Sequence, residues 1–126
     1  MKAKKSIKKN QYVDGFITPV PKKKIEAYKK IATLASKVWL EHGALEYIEA
    51  VADDVKKGKH TSFPQSVKMK SNETVFFSWV VYKNRAHRDR VVAKVMSDER
   101  LQCLDEDDML FDGMRMVWGG FKVVVN

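Results

Sequence analysis

Residues 12–20, YVDGFITPV, are rich in β-branched and aromatic side chains and run into Pro19 and Pro21, which is the pattern of a strand. Pro21 also suits a first helical turn. Beyond it Ile25, Tyr28, Ala32, Ala35, Trp39 and His42 recur at spacings of three and four. Ile31, Leu34 and Val38 widen that stripe, with lysines off its centre, so an amphipathic helix of about five turns is predicted. Gly43 is its natural stop, able to take positive φ. Residues 44–55 alternate Leu45, Tyr47 and Glu49 with Glu46, Ile48 and Ala50 and read as a second strand. Residues 56–72 keep no period and read as a long excursion with a local turn at TSFPQS. ETVFFSWVVY, residues 73–82, is the most strongly β stretch in the chain. A second helix is predicted from Asn84 or Arg85 to about Met96, with Ala86, Val91, Val92, Val95 and Met96 inward. Ser97–Asp98 has a helix N-cap pattern and starts a short further turn. Residues 114–125 form the last strand, with a bulge or close backbone approach at Gly119–Gly120.

The order β-α-β-β-α-β is the ferredoxin-like pattern: an α+β fold with an antiparallel four-stranded sheet and two helices on one face. Two helices cover one face only, yet the strands are apolar on both. Val75, Phe77, Trp79 and Val81 alternate with Phe76, Val80 and Tyr82, and only Ser78 is polar. The last strand sets Met114, Met116 and Trp118 against Val117, Phe121 and Val123. A sheet with one wet face alternates more cleanly, and a large exposed apolar surface is unusual in a soluble protein. The second face is therefore expected to meet another copy of the chain in a homodimer, paired as a dimeric α/β barrel.

Composition narrows the setting. The 126 residues suffice for one domain, and 44% hydrophobic with 32% charged residues describe a soluble globular chain. No apolar run has the length of a membrane span or a signal-peptide core, so no membrane partner is expected. Five lysines in the first nine residues, out of 24 basic residues against 16 acidic, supply much of the net charge of +8. Residues 1–11 are read as a basic disordered arm and 12–126 as the single ferredoxin-like domain. The lone Cys103, beside Leu101 and Leu104, reads as a small core hydrophobe in a reducing, cytoplasmic setting.

Several stretches carry a resemblance. YVDGFITPVPKKKIEAYKKIA, VWLEHGALEYIE, SFPQSVK, SWVVYKNRAHRDRVVAKVM and FDGMRMVWGGFKVVV, in this order, resemble the YbaA-like family of small bacterial proteins, a domain-of-unknown-function family. The resemblance spans about residues 12–125 and implies membership of the dimeric α/β-barrel superfamily. Relatives in that superfamily include cofactor-independent oxygenases, muconolactone isomerases, haem-degrading or haem-peroxidase-like enzymes and stress-responsive proteins. Their shared feature is a cleft between sheet and helices, which leaves the chemistry open. The resemblance carries over no catalytic residue and does not say whether the protein is an enzyme.

The candidates from the residues themselves are few. Asp14 lies in a central-type strand, where an unpaired charge is costly. It either pairs with a base such as Arg115 or Lys122 or lines a cleft as an acid–base group. His42 ends the first helix and is expected to hydrogen-bond its last carbonyls, with a general base or haem ligand as the alternative. His87 sits among Arg85, Arg88 and Arg90 in NRAHRDR, read as the charged first turn of the second helix, capped by Asn84. Arg85 and Arg88 there meet solvent, acidic neighbours or an anionic ligand at free N–H groups. His60 reads as a surface residue. Trp39, Tyr47, Phe77 and Trp79 are the candidate walls of a small-molecule cleft. The acidic clusters Asp53–Asp54 and Asp105–Asp108 lack EF-hand spacing, and no His/Cys group has zinc spacing. No glycine-rich nucleotide loop or nucleophile elbow occurs, so no cofactor and no metal are expected. The leading expectation is a homodimer binding a small molecule, as a cofactor-independent enzyme or otherwise. The alternatives are an RNA-binding module using sheet aromatics and the basic arm, and a non-catalytic interaction or regulatory dimer. VFFSWVVY lacks the basic-Gly lead of the RNA-recognition motif, which weighs against nucleic acid.

Overall fold

The computed structural model describes residues 7–102 and 111–126. Cys103 and the Asp105–Asp108 cluster lie outside the described residues. Four strands form one sheet: β1 (Tyr12–Pro21), β2 (Glu46–Val51), β3 (Glu73–Tyr82) and β4 (Val117–Lys122). They lie in the order β2-β3-β1-β4, with every neighbouring pair antiparallel. The strands with the most β-branched and aromatic residues, β1 and β3, take the centre, where both backbone edges are hydrogen-bonded. The flanking β2 and β4 are six residues each and shorter than the alternation over 44–55 and 114–125 predicts.

After a 3-10 turn at Lys22–Lys24, helix α1 runs Ile25–Glu41. Gly43 follows at φ +114°, and the N–H groups of His42, Gly43 and Ala44 donate to the carbonyls of Val38, Leu40 and Trp39. That is the left-handed stop expected of the glycine. The excursion before β3 contains a single helical turn, α2 (Phe63–Ser66), whose Ser62 Oγ accepts from the Gln65 N–H. Helix α3 (Arg85–Met96) starts where Asn84 Oδ1 accepts from the His87 N–H at 2.8 Å. A last turn, α4 (Glu99–Gln102), follows. Among the described residues no helix is long and apolar enough to cross a membrane.

Both long helices pack on one face of the sheet. Val38 and Ala44 at the end of α1 meet Val80 and Tyr82 of β3 and Val91 and Val95 of α3 in one buried cluster. Val20, Tyr28, Ala32 and Phe76 make a second. Ala86, expected inward, is exposed, because the buried stripe of α3 begins one turn later at Val91. Residues on the even positions of β1 and β3 face the helices and those on the odd positions face away. The register couples this across the sheet, pairing Asp14 with Val80, Phe16 with Ser78, and Ser78 with Glu49. On the outer face Ile7, Val13, Ile17, Phe77, Trp79, Val117 and Phe121 line an apolar depression of about 560 Å³. Phe77 is 46% exposed, Val117 44% and Phe121 65%. Residues 8–11 turn beside β4, where the Asn10 N–H donates to Val123 O and the Val123 N–H to Gln11 O.

Candidate functional site

Between the helices and the inner face of the sheet lies a cleft of about 390 Å³, within the size range of small-molecule pockets. Its floor is Asp14, Phe16 and Thr18 of β1, Tyr47 and Glu49 of β2, Ser78 and Val80 of β3, and Trp118 of β4. Helix α1 contributes Tyr28, Ile31, Ala35 and Trp39, and α3 contributes Arg88, Val92 and Met96. Phe111 and Met116 complete the wall. Most of this lining is apolar or aromatic, so the polar groups stand out as two separate poles.

The first pole is built on Asp14. Strand parity points its side chain inward, where it is 4% exposed. Arg88 Nη1 donates to Oδ1 at 2.9 Å, and the Tyr82 hydroxyl donates to Oδ2 at 3.0 Å. Trp39 Nε1–H in turn donates to the Tyr82 oxygen at 3.1 Å. Arg88 also donates through Nε to Asp89 and lies over the Tyr12 ring, 4.9 Å from its centroid. Gly120 makes room for this arrangement, since a Cβ there would come 2.5 Å from the Tyr12 hydroxyl oxygen. Burial pushes the Asp14 carboxyl above its ordinary range, while the Tyr82 hydrogen bond and the Arg88 charge oppose the shift. Burial and the Asp14 charge push the Tyr82 hydroxyl up as well.

The partner of Asp14 is thus neither Arg115 nor Lys122. Arg115 is bound at the opposite end of β3, with Nη1 and Nη2 donating to the two carboxylate oxygens of Glu73 at 2.9 and 2.7 Å. Lys122 lies across from Tyr12 in β4, and its residue is exposed. Asp14 both pairs and lines the cleft, two alternatives that the sequence set against each other. Arg88 forms more than a surface pair, because the first turn of α3 sits directly over the inner face of β1. Its spacing of three from Arg85 does not separate the two, but their surroundings do: Arg85 is exposed and does not line the cleft.

The second pole is Glu49. Its Oε1 accepts from the Tyr28 hydroxyl at 3.0 Å and the Ser78 hydroxyl at 2.6 Å, and its Oε2 accepts from the Tyr47 hydroxyl at 2.8 Å. Burial first, and then the Glu49 charge, push both tyrosine hydroxyls well above their ordinary range. Sequence reasoning did not single out Glu49. The signal was present, because Glu49 shares strand parity with Tyr47, and Ser78, which pairs with Glu49, interrupts the apolar run of β3 on its inner side.

The remaining candidates fall outside the cleft. Phe77 and Trp79 occupy odd positions and line the outer depression instead, and Trp79 Nε1–H donates to Glu46 at 3.2 Å. The candidate walls Trp39 and Tyr47 therefore do not share a pocket with them, for the alternation along β3 separates the two groups. His42 closes α1, but its side chain hydrogen-bonds the Asp98 carboxylate at 2.8 Å rather than the last carbonyls. Arg100 and then His42 hold that carboxyl well below the usual range. His87 Nδ1 accepts from the Lys83 N–H at 2.9 Å, and its ring meets Tyr82 edge-on at 6.1 Å. It fastens the start of α3 to the end of β3 and does not reach Asp14. His60 is exposed. Among the described residues no group of three or more His, Cys, Asp or Glu could hold a metal ion.

A family model described as "Protein of unknown function (DUF1428)" matches residues 11–113, a span that contains both polar poles. The chain is 43% identical over 116 residues to the "Uncharacterized protein YbaA" of Escherichia coli strain K12, covering 92% of this chain and 98% of that relative. Proteins of the same description from Escherichia coli O157:H7 and Shigella flexneri match to the same extent.

Proposed function

Because the chain belongs to the YbaA-like family, Protein of unknown function (DUF1428), and its relatives' descriptions specify no activity, we propose a function from the cleft itself. The protein is a ferredoxin-like domain that pairs through its outer sheet face as a dimeric α/β barrel and binds a small organic molecule between sheet and helices. The observation that carries the reading is the cleft of about 390 Å³, apolar over most of its walls, with its charged groups among the described residues at Asp14–Arg88 and Glu49. Apolar walls supply binding energy, and a few placed polar groups orient a ligand. If the protein is an enzyme, Asp14 is its acid–base group, because its carboxyl is pushed up by burial and lines the cleft.

The second copy is argued from the outer face. Among the described residues its depression is lined by aliphatic and aromatic residues and glycines, with no lysine or arginine. Nucleic acid needs phosphate neutralisation beside its stacking aromatics, whereas a second copy of the chain brings an equally apolar surface.

A fragment screen followed by the indole N–H resonances tests the cleft. Binders should shift Trp39, and Ala35→Phe, which fills the cleft from α1, should abolish the shift. Fragments that bind only near Trp79, or that ignore Ala35→Phe, would overturn the reading.

A further inference from the structure

We propose that the ligand of this cleft is an organic cation, an ammonium-bearing molecule with an aromatic or aliphatic body, whose charged nitrogen docks on Glu49. The inference rests on the cleft being the binding site and adds the chemical class of what binds there.

The two poles differ in their charge balance. Asp14 faces the guanidinium of Arg88, so that pole is a neutralised pair. Glu49 has the hydroxyls of Tyr28, Tyr47 and Ser78 as its hydrogen-bond partners among the described residues. Among the described residues no lysine, arginine or histidine forms an ion pair with it. Of the other buried or half-buried carboxylates, Glu73 has Arg115 and Asp98 has Arg100 and His42, while Glu46, outside the cleft, accepts from the Trp79 Nε1–H. A negative charge in an apolar cleft is costly unless compensated. The three hydroxyls supply hydrogen bonds but no opposite charge.

Acceptor capacity points the same way. A carboxylate offers about four lone-pair sites. Two donors converge on Oε1 and one on Oε2, which leaves one site on Oε2 for an N–H donor. The two tyrosines bonded to Glu49 line the cleft with Trp39, whose ring lies 5.8 Å from that of Tyr47 between centroids. Aromatic walls beside a carboxylate favour a cation, because ring faces attract positive charge. An anionic ligand finds no comparable partner. Among the described residues Arg88 is the one lysine or arginine of the cleft lining, and its charge is already met by the carboxylates of Asp14 and Asp89 at 2.9 Å each. The poles are separated by two strand spacings and a two-residue step, about 12 Å between Cα atoms. A ligand docked at Glu49 can thus extend its apolar body along Phe16 and Ile31 toward Asp14.

The test uses three indole probes that share an ethyl-substituted ring, on the full chain: tryptamine, its carboxylate counterpart indole-3-propionate, and uncharged 3-ethylindole. Affinities are measured by isothermal titration calorimetry at pH 7. Tryptamine should bind at least tenfold more tightly than either of the others. Glu49→Gln should remove that preference while leaving 3-ethylindole within about twofold. Ala35→Phe, or Val92→Phe if the first does not fold, should block tryptamine. If Glu49→Gln does not fold, the ranking of the three probes on the parent chain, with the blocking variant, decides alone. Equal or tighter cleft binding of the carboxylate or the neutral probe would refute the cationic class and leave the cleft reading standing. Binding of no probe would refute the cationic class too, whereas tryptamine binding that ignores the blocking variant would refute both.

Discussion

Replacing Arg88 with alanine separates a buried ion pair from a charged helix surface, two cases whose energies differ several-fold. An exposed pair contributes about 0.2–1 kcal/mol, whereas removing one partner of a buried pair costs about 3–5 kcal/mol. Side-chain exposures of 14% for Arg88 and 4% for Asp14 place this pair in the second class. In Arg88→Ala the Asp14 carboxylate keeps one neutral donor, the Tyr82 hydroxyl. The loss has a ceiling, because the carboxyl can take up a proton instead. From an unfolded-state value near 3.9, holding it neutral at pH 7 costs about 4 kcal/mol. Partial exposure of Arg88 sets the expected loss at about 3 kcal/mol. The proton supplies a second signature: with Asp14 neutral in the folded variant, the penalty should shrink by up to about 1.4 kcal/mol per pH unit on acidification from pH 7 to 5. Urea titrations followed by tryptophan fluorescence at fixed protein concentration read both effects as a change in midpoint at constant slope. Adding Asp14→Asn to Arg88→Ala should recover part of the loss, since the amide carries no charge and its oxygen still accepts from Tyr82. A loss below about 0.5 kcal/mol that does not vary with pH would refute the buried-pair account.

Light scattering at micromolar concentration should give twice the 14.5 kDa chain mass, and Phe121→Asp should halve it, because a charge on the outer face would be buried in the pair; a monomeric parent would remove the dimer from the proposal. Arg115, through its hydrogen bonds, holds the Glu73 carboxyl below its ordinary value of 4.5. The ionised form is favoured in the folded state, so the stability it adds is present above about pH 4.5 and lost as pH falls below it. Glu73→Gln should flatten that acid limb in urea midpoints taken from pH 5 to 3, and an unchanged slope would contradict the assignment. His87→Ala should cost about 0.5–1.5 kcal/mol through the lost acceptor for the Lys83 N–H. Burial, then Lys83 and Arg90, lower the His87 pKa, so its neutral form adds stability that fades as pH falls below about 6.5. A loss above 3 kcal/mol would give it a larger role than fastening α3 to β3.

The period-two runs over 12–20 and 73–82, the three-four stripe from Ile25 to Trp39, the stop at Gly43 and the cap at Asn84 are local signals. Each states a backbone preference within a few residues, so β1, α1, β3 and α3 were legible in the sequence nearly to their ends. So was the division of β3 into two apolar faces, since strand parity is a matter of counting. The ends of β2 and β4 were not legible, because an edge strand lasts only as long as its partner pairs with it, and that depends on register. The partners of the charges required the tertiary structure for the same reason. Arg115 and Lys122 are the mates expected for Asp14 from the chain, and nothing local marks Arg88 as one. Only the docking of α3 across β1 brings Arg88 to Asp14, while the far end of β3 takes Arg115 to Glu73. Glu49 reads as the polar member of an alternating strand. Tyr28 from α1, Tyr47 from its own strand and Ser78 from β3 surround it once those elements pack. Alternation is decided by adjacent dihedrals, whereas a carboxylate's surroundings are decided by side chains 21 and 29 residues away in sequence.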